Sequence, residues 1–472
     1  MHQSSSILAL TARLRAFIGS ASPGDALPSS RELIQKLHVS PVTVSRALAN
    51  LSSEGLVSVR PGVGAFVAPQ GSQAARRDAD YSWQTSALGD HAVDDRGMRL
   101  LAQGTESSSI SLASGYPHAS LAPTRQLVAS MRRAVSRPGV WEIPQLSGIP
   151  SLRRWFAETV GPMVGPDDVL ITSGGQSAIA AALRATSPIG SPVIVESPTY
   201  PGLIAVIKGA GLEPIPVHLD EHGLRPDFLG EALARSKARV IYCQPTFQNP
   251  TGAVMPLERR LEILKVAARA RAFVIEDDWA RWLTLGPAPT APLISHDDDG
   301  RVIHIKSLTK TTASSLRIGA LVARGPIAER LRAVRVVDDL FVSAPLQEAA
   351  LDLVTSPGWA RHLKALPAAL RQRRDGLLTA LERSLPTLTI SSRPAGGFYV
   401  WAQLPPGSDD VAVAAAAQRE GVLVSAGRPF FVAEPSAPFL RISFVSPASL
   451  QEIDEGVRRL ARAIPRLKTT RA

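Results

Sequence analysis

Ser307-Leu308-Thr309-Lys310, followed seven residues on by Arg317 in Leu316-Arg317-Ile318-Gly319, is the stretch on which the reading of this chain turns. It follows Arg301–Ile305 (RVIHI), a short run of nearly continuous apolar, β-branched residues that predicts a strand buried on both faces. The position just past such a strand is where open α/β sheets hold ligands. A lysine in apolar surroundings there has a lowered pKa and can attack an aldehyde to form a Schiff base. The hydroxyls of Ser307 and Thr309 and the guanidinium of Arg317 are the partners a phosphate monoester needs. Most lysines are solvated surface charges, so the weight falls on what surrounds this one.

Working outward, strand-like runs recur near Val169–Thr172, Val193–Glu196, Val240–Cys243, Phe273–Glu276, Val302–Ile305 and Ala320–Val322. Helical patterns such as Ser177–Ala185, Pro201–Gly209 and Leu257–Ala270 separate them, the βαβ rhythm of a mostly parallel sheet. Past about Trp359 a long helical pattern and further strands predict a smaller α+β lobe. Four segments at strand ends offer chemistry that one planar, phosphorylated ligand would use. Ser173-Gly174-Gly175-Gln176 opens a helix, whose free amides and dipole suit a phosphate, although a glycine pair alone is more often a plain turn. Asp277, in Glu276-Asp277-Asp278, can hold a pyridine nitrogen protonated, or can merely cap a helix. Asn249, in Gln248-Asn249-Pro250-Thr251-Gly252, can meet a ring oxygen, and Tyr200 offers an aromatic face.

In this order the segments resemble the fold-type I, pyridoxal 5'-phosphate-dependent aminotransferases of the aspartate aminotransferase-like class, across most of residues 109–466. The resemblance implies Lys310 as the Schiff-base lysine and Asp277 at the pyridine nitrogen. It implies Asn249 at the phenolic oxygen, Tyr200 stacked on the ring, and Gly175, Gln176, Ser307 and Arg317 at the phosphate. Arg441, in Phe439-Leu440-Arg441-Ile442-Ser443-Phe444, matches the arginine that grips a substrate carboxylate through a bidentate pair. Lys306 is the rival lysine, but it lacks the right offset to Arg317. Two positions depart from the pattern. Relatives carry a tyrosine where Trp279 stands, and another about where Ile143 stands in Trp141–Leu152, the latter used in the partner subunit's site. Both replacements remove hydroxyls that aid proton and phosphate chemistry.

Residues 1–69 follow a different plan. A helical stripe over Leu8–Ile18 ends at Pro23-Gly24-Asp25, and Ser29-Ser30-Arg31-Glu32 then caps a second helix through Leu37. Ser40 caps a third, Pro41–Ser53, with Pro41 in its first turn. Leu56–Val59 and Ala65–Val67 flank Arg60-Pro61-Gly62-Val63-Gly64 as a hairpin with a glycine-rich tip. The result is a mostly α, winged helix-turn-helix domain whose second motif helix enters the major groove. The words LPSSREL (27–33), VSPVTVSRAL (39–48), LSSEGLV (51–57) and RPGVGAFV (60–67) resemble the GntR family of bacterial regulators. That resemblance implies Arg31, Ser40, Thr43, Ser45 and Arg60 at phosphates or bases and Gly62 in a closely approaching wing. Arg46 is a further candidate on the same helix.

Charge does not locate this domain. The chain carries 52 Lys and Arg against 41 Asp and Glu, a net of +11. Residues 1–69 hold six of the basic residues and three acids, a net of only +3. The stretch 70–108 is rich in Ser, Gln, Gly, Asp and Arg without apolar periodicity, and reads as a flexible linker in which Trp83 is unusual. No apolar run approaches the ~18–20 residues of a membrane span. The lone cysteine, Cys243, falls in a strand-like run and fits a reducing cytoplasm. No metal site is read. Winged helix, linker and aminotransferase-like domain together resemble the MocR subfamily of transcriptional regulators. The likeness implies a head-to-tail homodimer that binds a double-stranded DNA operator and senses a small amino compound or pyridoxal phosphate itself. A working aminotransferase with an appended winged helix is the alternative, since Lys310, Asp277, Asn249 and Arg441 are all present.

Overall fold

The computed structural model describes residues 2–60, 63–68, 81–88 and 109–466. They fall into two compact units, within Met1–His91 and Ala92–Ala472.

In the smaller unit, α1 (His2–Ser20), α2 (Ser30–Leu37) and α3 (Pro41–Ser53) precede a hairpin of β1 (Val57–Arg60) and β2 (Gly64–Val67). Ser29 and Glu32 form a reciprocal capping box at the start of α2. The Ser40 hydroxyl accepts the Thr43 amide at 3.1 Å, fixing the start of α3. Thr43, Val44, Ala47 and Leu51 make the inward stripe of α3, packing with Leu10, Leu14, Leu33 and Val57 into one small core. The hairpin pairs Arg60 with Gly64. Within the stretch read as structureless linker, Ser82–Leu88 forms a helix, α4. Trp83 is 64% exposed on it.

In the larger unit a two-residue strand, β3 (Ile110–Ser111), precedes an eight-stranded sheet. Its strands are β4 (Val169–Thr172), β5 (Pro192–Ser197), β6 (Glu213–Asp220), β7 (Gly223–Leu224), β8 (Val240–Cys243), β9 (Phe273–Asp277), β10 (Val302–Ser307) and β11 (Gly319–Val322). They are ordered β4-β11-β10-β9-β8-β5-β6-β7. β10, β9, β8, β5 and β6 run parallel to one another in that order. β11 is antiparallel to both β10 and β4. The carboxyl ends of β4, β5, β8, β9 and β10 therefore share one edge, where ligands of such sheets bind. Edge strand β4 and central strands β8 and β10 are buried along their whole length, as strands covered on both faces are.

The sequence reading missed β6, whose Pro214 and Pro216 interrupt a strand-like pattern. It is tolerated there because β6 meets only two residues of β7 on its outer side.

The second lobe packs the helix Pro357–Ser384 against a four-stranded antiparallel sheet of β12 (Thr389–Ile390), β13 (Tyr399–Gln403), β15 (Ser425–Ala426) and β16 (Phe439–Ser443), in the order β12-β13-β16-β15. The remaining short strand, β14 (Val422–Leu423), pairs with β3 and ties the start of the unit to this lobe.

Candidate cofactor site and nucleic-acid interface

The five strand ends deliver their loops to one cavity. About 830 Å³ of space lies between its walls, the open mouth and the solvent in it included. Gly175, Gln176, Tyr200, Asn249, Asp277, Ser307, Lys310, Arg317 and Arg441 all line it. Every cofactor- and substrate-site residue expected from the sequence is thus brought together.

Lys310 stands in the turn after β10. Its Nζ donates to the Gly115 carbonyl at 2.8 Å and lies 3.9 Å from the centre of the Tyr116 ring. Burial, then the charges of Arg441 and Arg317, lower its pKa to about 7, so much of the amine is free near neutrality. Lys306, the rival, does not line the cavity. Alternation along β10 turns it to the other face, against the Trp282 ring at 4.4 Å and the Thr159 carbonyl at 3.3 Å.

The same alternation sorts the three acids at the end of β9. Glu276 bonds His304 at 2.9 Å and Asp278 pairs with Arg281 at 2.5 Å. Only Asp277 faces the cavity. Its Oδ2 accepts from the Tyr242 hydroxyl at 2.6 Å and the Gln244 amide at 2.8 Å. Burial pushes the Asp277 carboxyl above its usual range, while those two bonds pull it down. A carboxylate so placed gains most from a cationic partner. Beneath it, burial raises Glu196 to about 8.

At the opposite end, Arg317 donates to the Ser173 carbonyl at 2.9 Å and Thr309 Oγ1 at 3.4 Å. The Ser307 hydroxyl donates to Thr309 Oγ1 at 3.0 Å. Beside them the helix Gly175–Thr186 begins without a side-chain cap, leaving its first amides free. Gly174, at φ +90°, is required here, since a Cβ would come within 2.8 Å of the Arg317 guanidinium. Tyr200 donates to Gln176 Oε1 at 3.0 Å, and its ring covers Gly202, where a Cβ would meet ring atoms at 2.3–2.5 Å. The Gln176 side chain thus positions Tyr200, leaving its backbone N–H for an anion.

Arg441 is fully buried on β16, between β13 and β15. Its guanidinium donates to Ala113 O at 2.7 Å, Asn249 Oδ1 at 3.2 Å and Ser425 Oγ at 3.4 Å. It lies 3.9 Å from the Tyr399 ring centre. None of the ion pairs among the described residues includes it, and burial lowers its pKa. A buried arginine with neutral partners only is costly unless it receives an anion.

These residues fit pyridoxal phosphate. An amine of lowered pKa, a buried carboxylate and a phosphate cradle of amides, hydroxyls and guanidinium line one cavity with the rings of Tyr116, Tyr200 and Tyr399. Gly115, Tyr116, Gln244 and Tyr399 also line the cavity and were missed from sequence. Gly115 and Tyr116 lie in an aperiodic stretch, and Tyr399 looks like any core aromatic of a strand.

In the smaller unit Arg31, Ser45, Arg46 and Arg60 are exposed, and Arg60 lies over the Phe66 ring at 4.8 Å. Thr43 is a correction. It is 6% exposed and its hydroxyl lies 2.9 Å from that of Ser40, because its place on α3 belongs to the buried stripe. Ser40 is exposed, yet its hydroxyl is spent on the cap. Val42, 59% exposed, shares the outer face with Ser45 and Arg46 and was overlooked. Gly62 lies outside the described residues.

Residues 108–460 match the family described as aminotransferase class I and II, and residues 8–67 match the bacterial regulatory proteins of the gntR family. The HTH-type transcriptional regulator YjiR of Escherichia coli is 30% identical over 94% of this chain and 95% of its own length. The HTH-type transcriptional regulator TauR of Rhodobacter capsulatus is 30% identical over 94% of this chain and 93% of its own. The chain belongs to the MocR-type transcriptional regulators. It joins a GntR-type DNA-binding domain to a class I and II aminotransferase domain, and its cofactor is pyridoxal phosphate. Among solved structures, the α-aminoadipate aminotransferase LysN of Thermus thermophilus, complexed with N-(5'-phosphopyridoxyl)-L-leucine, is 30% identical. It superposes with a TM-score of 0.76 over 82% of this chain and 99% of that one. No helix among the described residues is long and apolar enough to cross a membrane.

Proposed function

We propose that this regulator senses a small amino compound, or pyridoxal phosphate itself, at the cavity around Lys310, and that occupancy changes its affinity for a DNA operator. The observation that carries the proposal is the convergence of a neutral-prone lysine, an anion cradle and a buried, acid-free arginine on one cavity. Pyridoxal phosphate supplies an aldehyde and an electron-withdrawing ring when bound. Lys310 offers the amine that holds it, and Asp277 the carboxylate for the ring nitrogen. Asn249 serves the ring oxygen and Tyr200 the ring face. Gly175, Gln176, Ser307 and Arg317 bind the phosphate. Arg441 orients the carboxylate of the effector by a bidentate pair.

In the smaller unit Arg31, Arg46 and Arg60 bind backbone phosphates, and the outer face of α3 meets the major groove. The protein works in the cytoplasm as a head-to-tail homodimer, and effector binding biases two arrangements of its recognition helices. The effector shifts them only by its differential affinity for the two. The completeness of the site also favours a second reading, residual transamination, which multiple turnover with amino-acid and keto-acid pairs would reveal.

The decisive variant is Lys310→Ala. It is expected to lose the visible absorbance of the lysine-bound cofactor while retaining basal operator binding and losing the response to effector. A variant that still responds refutes the proposal.

A further inference from the structure

The first turn of α3 presents an apolar surface at the place where a recognition helix meets bases. The Ser40 hydroxyl accepts the Thr43 amide at 3.1 Å, and Thr43 and Val44 are buried against the rest of the unit. Pro41 and Val42 form the outer side of this turn, with Ser45 and Arg46 exposed one turn further on. Val42 is 59% exposed and stands outside the core of Leu10, Leu14, Leu33 and Leu51. On a helix a β-branched side chain holds essentially one rotamer, so the two Val42 methyl groups project at fixed positions.

In helix-turn-helix complexes the residues at the start of the recognition helix reach the base edges. There guanine, adenine and cytosine present hydrogen-bonding groups, whereas thymine adds a C5 methyl group. Set against a cytosine amino group or a guanine oxygen, Val42 would strip water from a polar group and return no hydrogen bond. Set against the thymine methyl, it buries apolar surface on both partners. Ser45 can hydrogen-bond to more than one base, and Arg46 is assigned above to a backbone phosphate. The selectivity of this turn therefore falls to Val42.

Resting on the operator binding proposed above, we propose that Val42 is a specificity-determining residue that reads the C5 methyl of a thymine in the major groove. The operator carries that thymine at the base pair facing the first turn of α3.

The test uses the full-length protein, with and without pyridoxal phosphate, and a pool of random-sequence DNA duplexes. Sequences enriched through rounds of binding define one duplex. Each of its thymines is then replaced in turn by uracil, which removes only the methyl group, and affinity is read by fluorescence anisotropy. At least one replacement is expected to raise the dissociation constant about fourfold, as loss of one buried methyl should. Val42→Ala should bind the all-thymine duplex more weakly and lose the uracil penalty at that position alone. Arg46→Ala should weaken binding to both duplexes alike and keep the penalty, as loss of a phosphate contact does. An enriched duplex in which no uracil replacement weakens binding overturns this inference alone. So does a penalty that Val42→Ala retains at every position. A pool from which no sequence is enriched, with or without the cofactor, overturns the operator binding it rests on, and this inference with it.

Discussion

Lys310 is the group whose titration can be followed through its own chemistry. Burial, then the charges of Arg441 and Arg317, bring its pKa from 10.5 to about 7. About half of the side chain is then a free amine at neutral pH, against roughly one part in 3,000 for a lysine titrating at its ordinary value. On that ground alone, capture of pyridoxal phosphate at neutral pH should run on the order of a thousandfold above a solvated lysine. The rate should rise through about pH 7 and level off, where a solvated lysine would still be accelerating at about pH 9.5. Apoprotein is mixed with the cofactor across this range, the visible band is followed in time, and the product is reduced with borohydride and mapped. Arg441→Gln removes one of the charges that depress the amine, so its midpoint should move to higher pH. A rate still climbing at about pH 9.5, or an adduct mapped to Lys306, would refute the reasoning. The stability of the apoprotein carries the same signature. The folded pKa lies below the unfolded one, so between about 7 and 10.5 the unfolded chain binds more protons, and the Lys310 contribution strengthens folding as pH rises.

Arg31→Ala and Arg46→Ala should each weaken operator binding and flatten its dependence on salt. Ser40→Ala should instead lower the stability of the smaller unit by about 1 kcal/mol through loss of the α3 cap. Anisotropy against salt concentration and thermal melting separate the two effects, and equal losses of DNA affinity with no change in melting would contradict the assignment. Gly174→Ala places a Cβ within 2.8 Å of the Arg317 guanidinium at a φ of +90°. It should raise the dissociation constant for pyridoxal phosphate while operator binding without cofactor stays at the wild-type level.

Much of the site was legible in the amino-acid sequence, because its residues sit in short words at strand ends, where backbone chemistry and side-chain type are both constrained. Lys310 with Ser307, Thr309 and Arg317 is such a word, and so is Ser173–Gln176 opening its helix. The same local logic placed α3 at Pro41–Ser53, between a serine cap and a glutamate-glycine stop. Thr43 shows where that logic ended. Its type suited DNA, but which face of α3 it occupies was set by packing with Leu10 and Leu33. The strand β6 escaped because its prolines read as a break, and only its place near the sheet edge makes them harmless.

The two-part plan, the parallel sheet and the identity of the lysine, acid and arginines were all written in the chain, since each rests on spacing along it and on the chemistry of its own side chain. Packing alone selected which of Glu276, Asp277 and Asp278 faces the cavity, brought Gly115 and Tyr116 to Lys310, and buried Arg441 with no acid paired to it among the described residues. Those are relations between residues as much as 328 positions apart, as from Arg441 to Ala113. They exist only once the second lobe has folded over the carboxyl edge of the sheet and taken the water away.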